Sequence, residues 1–139
     1  MLVEAHVDNV RNTHVVSLRT NGVTQTLAVP DRPDAGGSAV NGGELLCLAL
    51  ATCYCNDVYR EAGKRGIEVV RVEALAQAEF GAPGEAAKRV RYRATVHARA
   101  PQPTIRELML HTDRIAEIQA TLRQGIEVVM DDAVGITVA

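Results

Sequence analysis

Two cysteines stand one residue apart in the stretch ATCYCND, residues 51–57, which follows an apolar run. If this stretch is helical, successive residues turn by about 100°, so Cys53 and Cys55 point to nearly opposite sides. Cys47 lies on a similar side to Cys55, but about 12 Å away along the axis at helical rise. A disulfide needs close Cα atoms and converging Cβ vectors, so an intact helix leaves no pair of these thiols ready to bond.

Cys53 has the neighbours best suited to thiol chemistry. Asp57 and Arg60 follow it one and two helical turns later, on roughly the same face. A nearby cation favours the thiolate, which is the nucleophilic form of cysteine. The alternative reading from composition is a buried cysteine with a packing role only.

Metal binding is not expected from this sequence. There is no second cysteine pair at zinc-finger spacing, and the histidines are scattered singly as His6, His14, His97 and His111. We therefore predict neither a metal nor another cofactor.

Composition and charge argue against several other classes of protein. The net charge is −2 and the pI about 6.1, so no basic field attracts nucleic acid or an anionic membrane. Aromatic residues make up 3% of the chain, which is too few for a base-stacking platform. No apolar run reaches membrane-spanning length. The three cysteines and the lack of a secretory signal predict a cytoplasmic protein.

The chain length of 139 residues predicts a single domain that covers residues 1–139.

The elements that must position Cys53 begin with strands in the first third of the chain. Alternating residues from Val3 to Val7 and the β-branched run Thr13–Thr20 predict two strands. Asn21-Gly22 is typical of a type I′ hairpin turn, and Val23–Val29 is the predicted return strand. The segment 30–43 is rich in Pro, Gly, Asp and Ser and is predicted to be a loop.

A helix and two long strands follow this loop. The range 44–61 is predicted to be a buried helix that ends at the glycines 63 and 66. Period-two alternation predicts strands over residues 70–80 and 90–98. Six positions of the second strand form a mostly basic face: Arg89, Arg91, Arg93, Thr95, His97 and Arg99. We expect them to pair with charged residues of the first strand, Arg71, Glu73 and Glu79, rather than with nucleic acid.

The last part of the chain shows helical periodicity after Pro103. Gly125 is a plausible C-cap, and Asp113 is a candidate N-cap if the helix is broken near His111. The ranges 126–130 and 134–138 are predicted to be short closing strands. The resulting order β-β-β-α-β-β-α-β gives an α+β fold with a mainly antiparallel sheet.

The run from Asn41 to Cys53, NGGELLCLALATC, resembles the signature of the OsmC/Ohr family, in which a loop precedes a buried helix that ends in A-x-C. The following AGKRGI, residues 62–67, is similar to the family's helix exit. This resemblance implies an intertwined homodimer with a buried central helix. It also implies a thiol peroxidase that reduces organic or hydrogen peroxides and is restored by a reductant. By position, Cys53 corresponds to the peroxidatic cysteine and Arg11 to the active-site arginine.

Two positions depart from the family pattern. The acid that directly precedes the helix is replaced by Gly43, with Glu44 one residue later. Ala116 stands at the expected place of the second cysteine, and no cysteine follows Cys55. Three outcomes stay open. Cys55 or Cys47 resolves Cys53 after local unfolding or across a dimer, an external thiol resolves it, or the branch has lost peroxidase chemistry.

The sequence thus leads to one main hypothesis and two alternatives. Cys53 is predicted to be the nucleophile, Arg11 its activator, and Glu44 or Asp57 an orienting acid, with Cys55 as a possible auxiliary residue. The expected partners are a second copy of the chain, a peroxide or other small-molecule substrate and an external thiol reductant. The first alternative is a non-catalytic protein that binds a small hydrophobic or thiol-reactive ligand at the dimer interface. The second is a stress-induced protein whose cysteines are only structural.

Overall fold

The computed structural model describes residues 1–138 and shows an α+β fold with antiparallel strand pairing, as predicted. Over these residues the strands form two sheets instead of the one expected, and there are three helices. Along the chain the elements are β1 (Val3–Val10), β2 (Thr13–Thr20), β3 (Val23–Thr26), α1 (Gly42–Lys64), β4 (Val69–Phe80), β5 (Ala87–Ala98), α2 (Gln102–Ile115) and α3 (Glu117–Gln124). The chain divides into two compact units, Met1–Cys47 and the part from Leu48 onward. No helix in the described range is long and apolar enough to cross a membrane.

The first unit contains the three-stranded sheet β1-β2-β3. Asn21 and Gly22 have φ values of 47° and 85°, which is the double positive φ that a type I′ turn requires. This confirms the predicted hairpin. The return strand is shorter than predicted and ends at Thr26, which is paired with Ser17 of β2.

Helix α1 is held at both ends by local hydrogen bonds. At its start, the backbone N–H of Asn41 donates to the Glu44 carboxylate at 2.8 Å, and the Glu44 N–H donates to Asn41 Oδ1 at 2.9 Å. This reciprocal capping box satisfies N–H groups that have no partner within the helix. At its end, Gly66 has a φ of 64°, and the N–H of Ile67 donates to the carbonyl of Ala62. Such a left-handed residue terminates a helix, as the sequence predicted.

The core of the second unit lies along one stripe of α1. Tyr54, Val58 and Ala62 recur every four residues and pack with Leu108 of α2. Burying a side chain of Val or Leu size contributes about 1.5–3 kcal/mol, so this stripe is what fixes α1 on its neighbours. Leu50, Asp57 and Glu61 of α1 are buried as well, whereas Leu48 remains 49% exposed.

Strands β4 and β5 cover this stripe with their apolar face. Their partly buried residues pack on the core through Val69, Val72, Tyr92, Ala94 and Val96. The opposite face is charged, and Glu79 lies 4.0 Å from Arg89 and 3.7 Å from Arg91. The predicted cross-strand ion pairing is therefore confirmed for Glu79, whereas Glu73 pairs with Arg71 of its own strand at 2.7 Å. Val70 and Phe80 leave the apolar face because the register shifts at both ends of the ladder.

The C-terminal part differs from the prediction in two respects. The helix is broken at Ala116 rather than near His111, and Asp113 is not a cap, because Arg123 and Tyr92 both donate to its carboxylate. The predicted closing strands over 126–130 and 134–138 are wrong, since neither segment is a strand in the described chain. Their apolar side chains are exposed and no described strand pairs with them. Gly125 is a C-cap as predicted, and its N–H donates to the carbonyl of Thr121.

Candidate functional site

Cys53 lies in the middle of α1 and is half-buried, with two carboxylates next to its thiol. The thiol donates to Oδ2 of Asp57 at 3.5 Å, one helical turn further on. Oε2 of Glu117, in the first turn of α3, lies 3.9 Å from Sγ. The site thus forms where α3 meets α1.

Arg60 binds both of these carboxylates. Its Nη1 atom lies 2.7 Å from Oδ1 of Asp57 and 3.6 Å from Oε1 of Glu117. Asp57 is buried to 3% exposure, whereas Glu117 is exposed. A buried carboxylate needs a partner to stay ionised, and Arg60 provides it.

Burial is the main influence on the Cys53 thiol and raises its pKa. The backbone N–H of Ile118 acts in the opposite direction, while the negative charges of Asp57 and Glu117 raise the pKa further. The thiol is therefore protonated at neutral pH in the chain as it stands. The prediction that Arg60 activates Cys53 as a thiolate does not describe this resting state, because Arg60 is paired with Asp57 and Glu117 while burial and these two negative charges raise the pKa of the thiol.

The same burial raises the pKa of Asp57 and makes this carboxylate a stronger base. Arg60 opposes that effect and Glu117 adds to it. An acid whose pKa lies above its usual value, in hydrogen-bond contact with a protonated thiol, is suited to accept that thiol's proton. The arrangement combines a potential nucleophile, a base and a cation that positions the base.

Cys53, Asp57 and Glu117 also present three possible metal-ligand atoms within 4.8 Å of one another. Arg60 already supplies positive charge to both carboxylates at 2.7 and 3.6 Å. A cation would have to displace this guanidinium, so the donor set suits an internal ion pair better than a bound metal.

The remaining predicted residues have different surroundings. Arg11 is exposed in the two-residue turn between β1 and β2, with a φ of 32°. Glu44 is occupied in the capping box of α1, and both residues lie in the first unit. Cys55 and Cys47 are half-buried free cysteines, and neither takes part in a side-chain hydrogen bond among residues 1–138.

Glu117 is the site residue that the sequence reasoning missed. It lies 64 positions from Cys53, and only the packing of α3 brings the two together. A signal was nevertheless present, because Glu117 directly follows Ala116, the position aligned with the family's second cysteine. Ala116 is fully buried, and the residues after it, Glu117 and Ile118, both influence the thiol.

Comparison with known proteins gives a family and a fold. Residues 35–131 match the family described as OsmC-like protein, whereas no curated protein matches the chain. An OsmC-like protein from Mycoplasma pneumoniae superposes with a TM-score of 0.62 at 13% identity, covering 86% of this chain and 87% of that one.

Two solved structures with hydroperoxide-resistance names are also similar. One is an organic hydroperoxide resistance protein OsmC from Legionella pneumophila, with a TM-score of 0.52 at 21% identity over 88% of this chain and 90% of that one. The other is an organic hydroperoxide resistance protein from Elizabethkingia anophelis, with a TM-score of 0.55 at 17% identity over 91% of each chain. At these identities the likeness shows a shared fold.

Proposed function

Because this chain belongs to the OsmC-like family, we propose that it is a thiol peroxidase that reduces organic or hydrogen peroxides through Cys53. The contact that carries the proposal is the hydrogen bond from the Cys53 thiol to Asp57 at 3.5 Å, with Arg60 2.7 Å from the same carboxylate. The names of the Legionella and Elizabethkingia proteins support the substrate class.

The reaction begins with a proton transfer within the site. Asp57 accepts the thiol proton as Sγ of Cys53 attacks one peroxide oxygen, and the O–O bond breaks. The sulfur is oxidised by two electrons to a sulfenic acid, and the peroxide is reduced. Asp57 returns its proton to the departing oxygen, which leaves as an alcohol or as water. Arg60 holds the Asp57 carboxylate in place throughout.

An external thiol completes the cycle in this proposal. Ala116 stands where a resolving cysteine is expected, so the sulfenic acid condenses with a small or protein thiol, releasing water and forming a mixed disulfide. A second thiol then attacks that disulfide and restores Cys53. The cytoplasm supplies such reductants, which fits the predicted location. Cys55 and Cys47 are the internal alternatives as resolving thiols.

The proposal includes a homodimer, as the family resemblance implies. The first strand leaves Val3 and Val7, which share one face, exposed at 61% and 55% of their surface. Exposed apolar side chains along one element are typical of a surface that a partner covers. The resemblance also assigns Arg11 to hold the thiolate and Glu44 to orient it, and we retain both roles as part of the proposal. Light scattering on a sizing column measures the oligomeric state, and a monomer at micromolar concentration contradicts the dimer.

The central test is intact-mass spectrometry after stoichiometric peroxide in the presence of a sulfenic-acid trap. We expect one trapped adduct per chain at Cys53, lost in Cys53→Ser and retained in the matched variants Cys47→Ser and Cys55→Ser. A disulfide between Cys53 and Cys55 in the wild type, replaced by a mixed disulfide with added thiol in Cys55→Ser, would instead identify Cys55 as the resolving residue. No oxidation of Cys53 at concentrations that oxidise free cysteine overturns the peroxidase proposal.

One observation favours a second candidate function. The raised pKa of Cys53 describes a thiol that is unreactive unless its proton is removed. A non-catalytic protein that binds a hydrophobic or thiol-reactive ligand at the dimer interface would need no more than this. A peroxide-resistant Cys53 together with a co-purifying apolar ligand supports this alternative over the peroxidase.

A further inference from the structure

The Glu117 carboxylate lies beside the Cys53 thiol, but its own contacts are too weak to keep it there. Its Oε2 atom is 3.9 Å from Sγ of Cys53, and its Oε1 atom is 3.6 Å from Nη1 of Arg60. The Glu117 side chain is 63% exposed, and exposed ion pairs contribute little to stability. The position of Glu117 therefore depends on how the rest of α3 is attached to its neighbours.

The attachment of α3 to α1 is weak as well, because its buried side chain is polar. Gln119 is 2% exposed, and its Nε2 atom donates to the carbonyl of Leu50 at 3.2 Å. Within the described chain, Oε1 of Gln119 is buried without a hydrogen-bond partner. A buried acceptor without a donor costs free energy, which offsets much of what the bond to Leu50 contributes. The apolar residues of α3 add little, since Ile118 is only partly buried and Leu122 is 41% exposed.

The end of α3 has a stronger attachment, which joins it to α2. Nη1 of Arg123, in the last turn of α3, donates to the carbonyl of Asp113 at 2.9 Å, and Nη2 donates to Oδ1 of the same residue at 2.7 Å. Asp113 lies in the last turn of α2, where carbonyls have no partner within the helix, so Arg123 also caps α2. The hydroxyl of Tyr92 in β5 donates to the same Oδ1 atom. Arg123 thereby links α3 to α2 and, through Asp113, to β5.

A helix as short as α3, which has eight residues, is marginally stable in water without contacts to its neighbours. It follows directly on the buried Ala116, whose extended backbone ends α2. α3 is therefore held at its start by the chain and at its end by Arg123. Without Arg123, α3 would unwind more readily, and its first turn would no longer hold Glu117 and Ile118 against the thiol.

We propose that Arg123 is a positioning residue that keeps α3 folded against Cys53 and thereby limits which molecules reach the thiol. In this state Sγ is half-buried, with Glu117 and the backbone N–H of Ile118 next to it. A small peroxide reaches the thiol beside the folded helix, whereas a bulky thiol requires α3 to unwind. This role rests on the proposed function, in which Cys53 is the reacting thiol and an external thiol has to reach its sulfenic acid.

Reaction rates with reagents of two sizes separate access to the thiol from its protonation. Iodoacetamide is small, a maleimide attached to a polyethylene glycol chain is bulky, and both react with the thiolate. A change in the fraction of thiolate alters both rates by the same factor, so the ratio of the bulky rate to the small rate reports access to Sγ. Loss of the positive charge of Arg123 favours the protonated thiol and slows both reagents equally, so it cannot raise this ratio.

The assay uses the full chain with Cys47 and Cys55 replaced by Ser, so that Cys53 is the only thiol. We expect Arg123→Gln to raise the ratio of the two rates roughly three- to tenfold, since its hydrogen bonds to Asp113 are lost. Arg123→Lys, which keeps the charge and one donor, should restore part of the low ratio. Arg114→Gln is the charge-matched control, because Arg114 is an exposed arginine in the last turn of α2. An unchanged ratio in Arg123→Gln, or an equal rise in Arg114→Gln, overturns the proposal.

A second background distinguishes the unwinding of α3 from a general loosening of the fold. Cys55 points to nearly the opposite side of α1 from Cys53, so the unwinding of α3 does not expose it. In a chain with Cys47 and Cys53 replaced by Ser, Arg123→Gln should leave the ratio measured at Cys55 unchanged. An equal rise at Cys53 and Cys55 would refute the positioning role and assign to Arg123 a contribution to global stability. These reagents need no peroxidase activity, so failure of this role and failure of the sulfenic-acid test are separate results.

Discussion

Replacing Asp57 with Asn separates two effects that this carboxylate has on Cys53. As a negative charge next to Sγ, it raises the pKa of the thiol and lowers the fraction of thiolate. As a base, it accepts the thiol proton and returns it to the leaving oxygen in the proposed reaction. Asp57→Asn removes both effects while keeping the shape of the side chain. It should therefore make Cys53 more reactive towards a simple alkylating agent and less reactive towards peroxide.

The size of the first effect follows from the geometry. Unit charges separated by the 3.5 Å between Asp57 Oδ2 and Sγ repel by about 5 kcal/mol at an effective dielectric constant of about 20. Arg60, which is 2.7 Å from Asp57, and solvent at the half-buried thiol cancel most of this. A remainder of about 1–2 kcal/mol corresponds to roughly tenfold more thiolate, and hence roughly tenfold faster alkylation at pH 7. Loss of general acid–base catalysis typically costs about 10²–10⁴ in rate, so peroxide reduction should fall.

The assay uses a background in which Cys47 and Cys55 are replaced by Ser, so that Cys53 is the only thiol. Iodoacetamide alkylation is followed by mass spectrometry from pH 6 to pH 10, and peroxide consumption is followed by single-turnover kinetics. Glu107→Gln serves as control, since Glu107 is an exposed acid of α2. If Asp57→Asn accelerates both reactions, Asp57 acts only through its charge and the proton-transfer role is wrong. If it slows both, the electrostatic account of the raised pKa is wrong.

Three further predictions concern stability. The hydrogen bond from Lys64 lowers the pKa of Glu61 to about 2, with support from Arg60 and His111 and against the effect of burial. The ionised Glu61 carboxylate therefore stabilises the folded state. This contribution is complete above the usual pKa of 4.5 and is lost as the pH falls towards about 2. Urea unfolding should therefore show Glu61→Gln less stable than the wild type at pH 7, with a difference that shrinks below pH 4.5, and no such trend for the exposed control Glu68→Gln. Leu108→Ala should lower the unfolding free energy by about 2–5 kcal/mol, because Leu108 is 1% exposed. Leu110, which is 49% exposed, is the control, and an equal loss in Leu110→Ala would contradict this assignment of the core. Tyr54→Phe removes a hydrogen bond to a backbone carbonyl and should cost about 1 kcal/mol, and an unchanged urea midpoint would show that this bond adds nothing.

Local patterns were enough to predict most of the secondary structure. The Asn21-Gly22 turn, the alternation in β4 and β5, and the glycine that ends α1 depend on neighbouring residues, and the structure shows each of them. The C-terminal segments 126–130 and 134–138 were also predicted from local sequence to be strands. They are not strands in the structure, because a strand also needs a neighbour for its hydrogen bonds, which the sequence of one segment does not provide.

The chemistry of the site shows the same division. Helical spacing alone placed Asp57 and Arg60 on the Cys53 face of α1, because residues three and four apart are neighbours on any helix. The sequence therefore determined the thiol, its acid and the cation. Only the tertiary structure buried the Cys53 thiol and added Glu117 from α3, and this burial, with the charges of Asp57 and Glu117, raises the pKa of Cys53 where a nearby arginine alone would lower it. The protonation state of a thiol depends on every charge around it and on its access to water, and packing decides both.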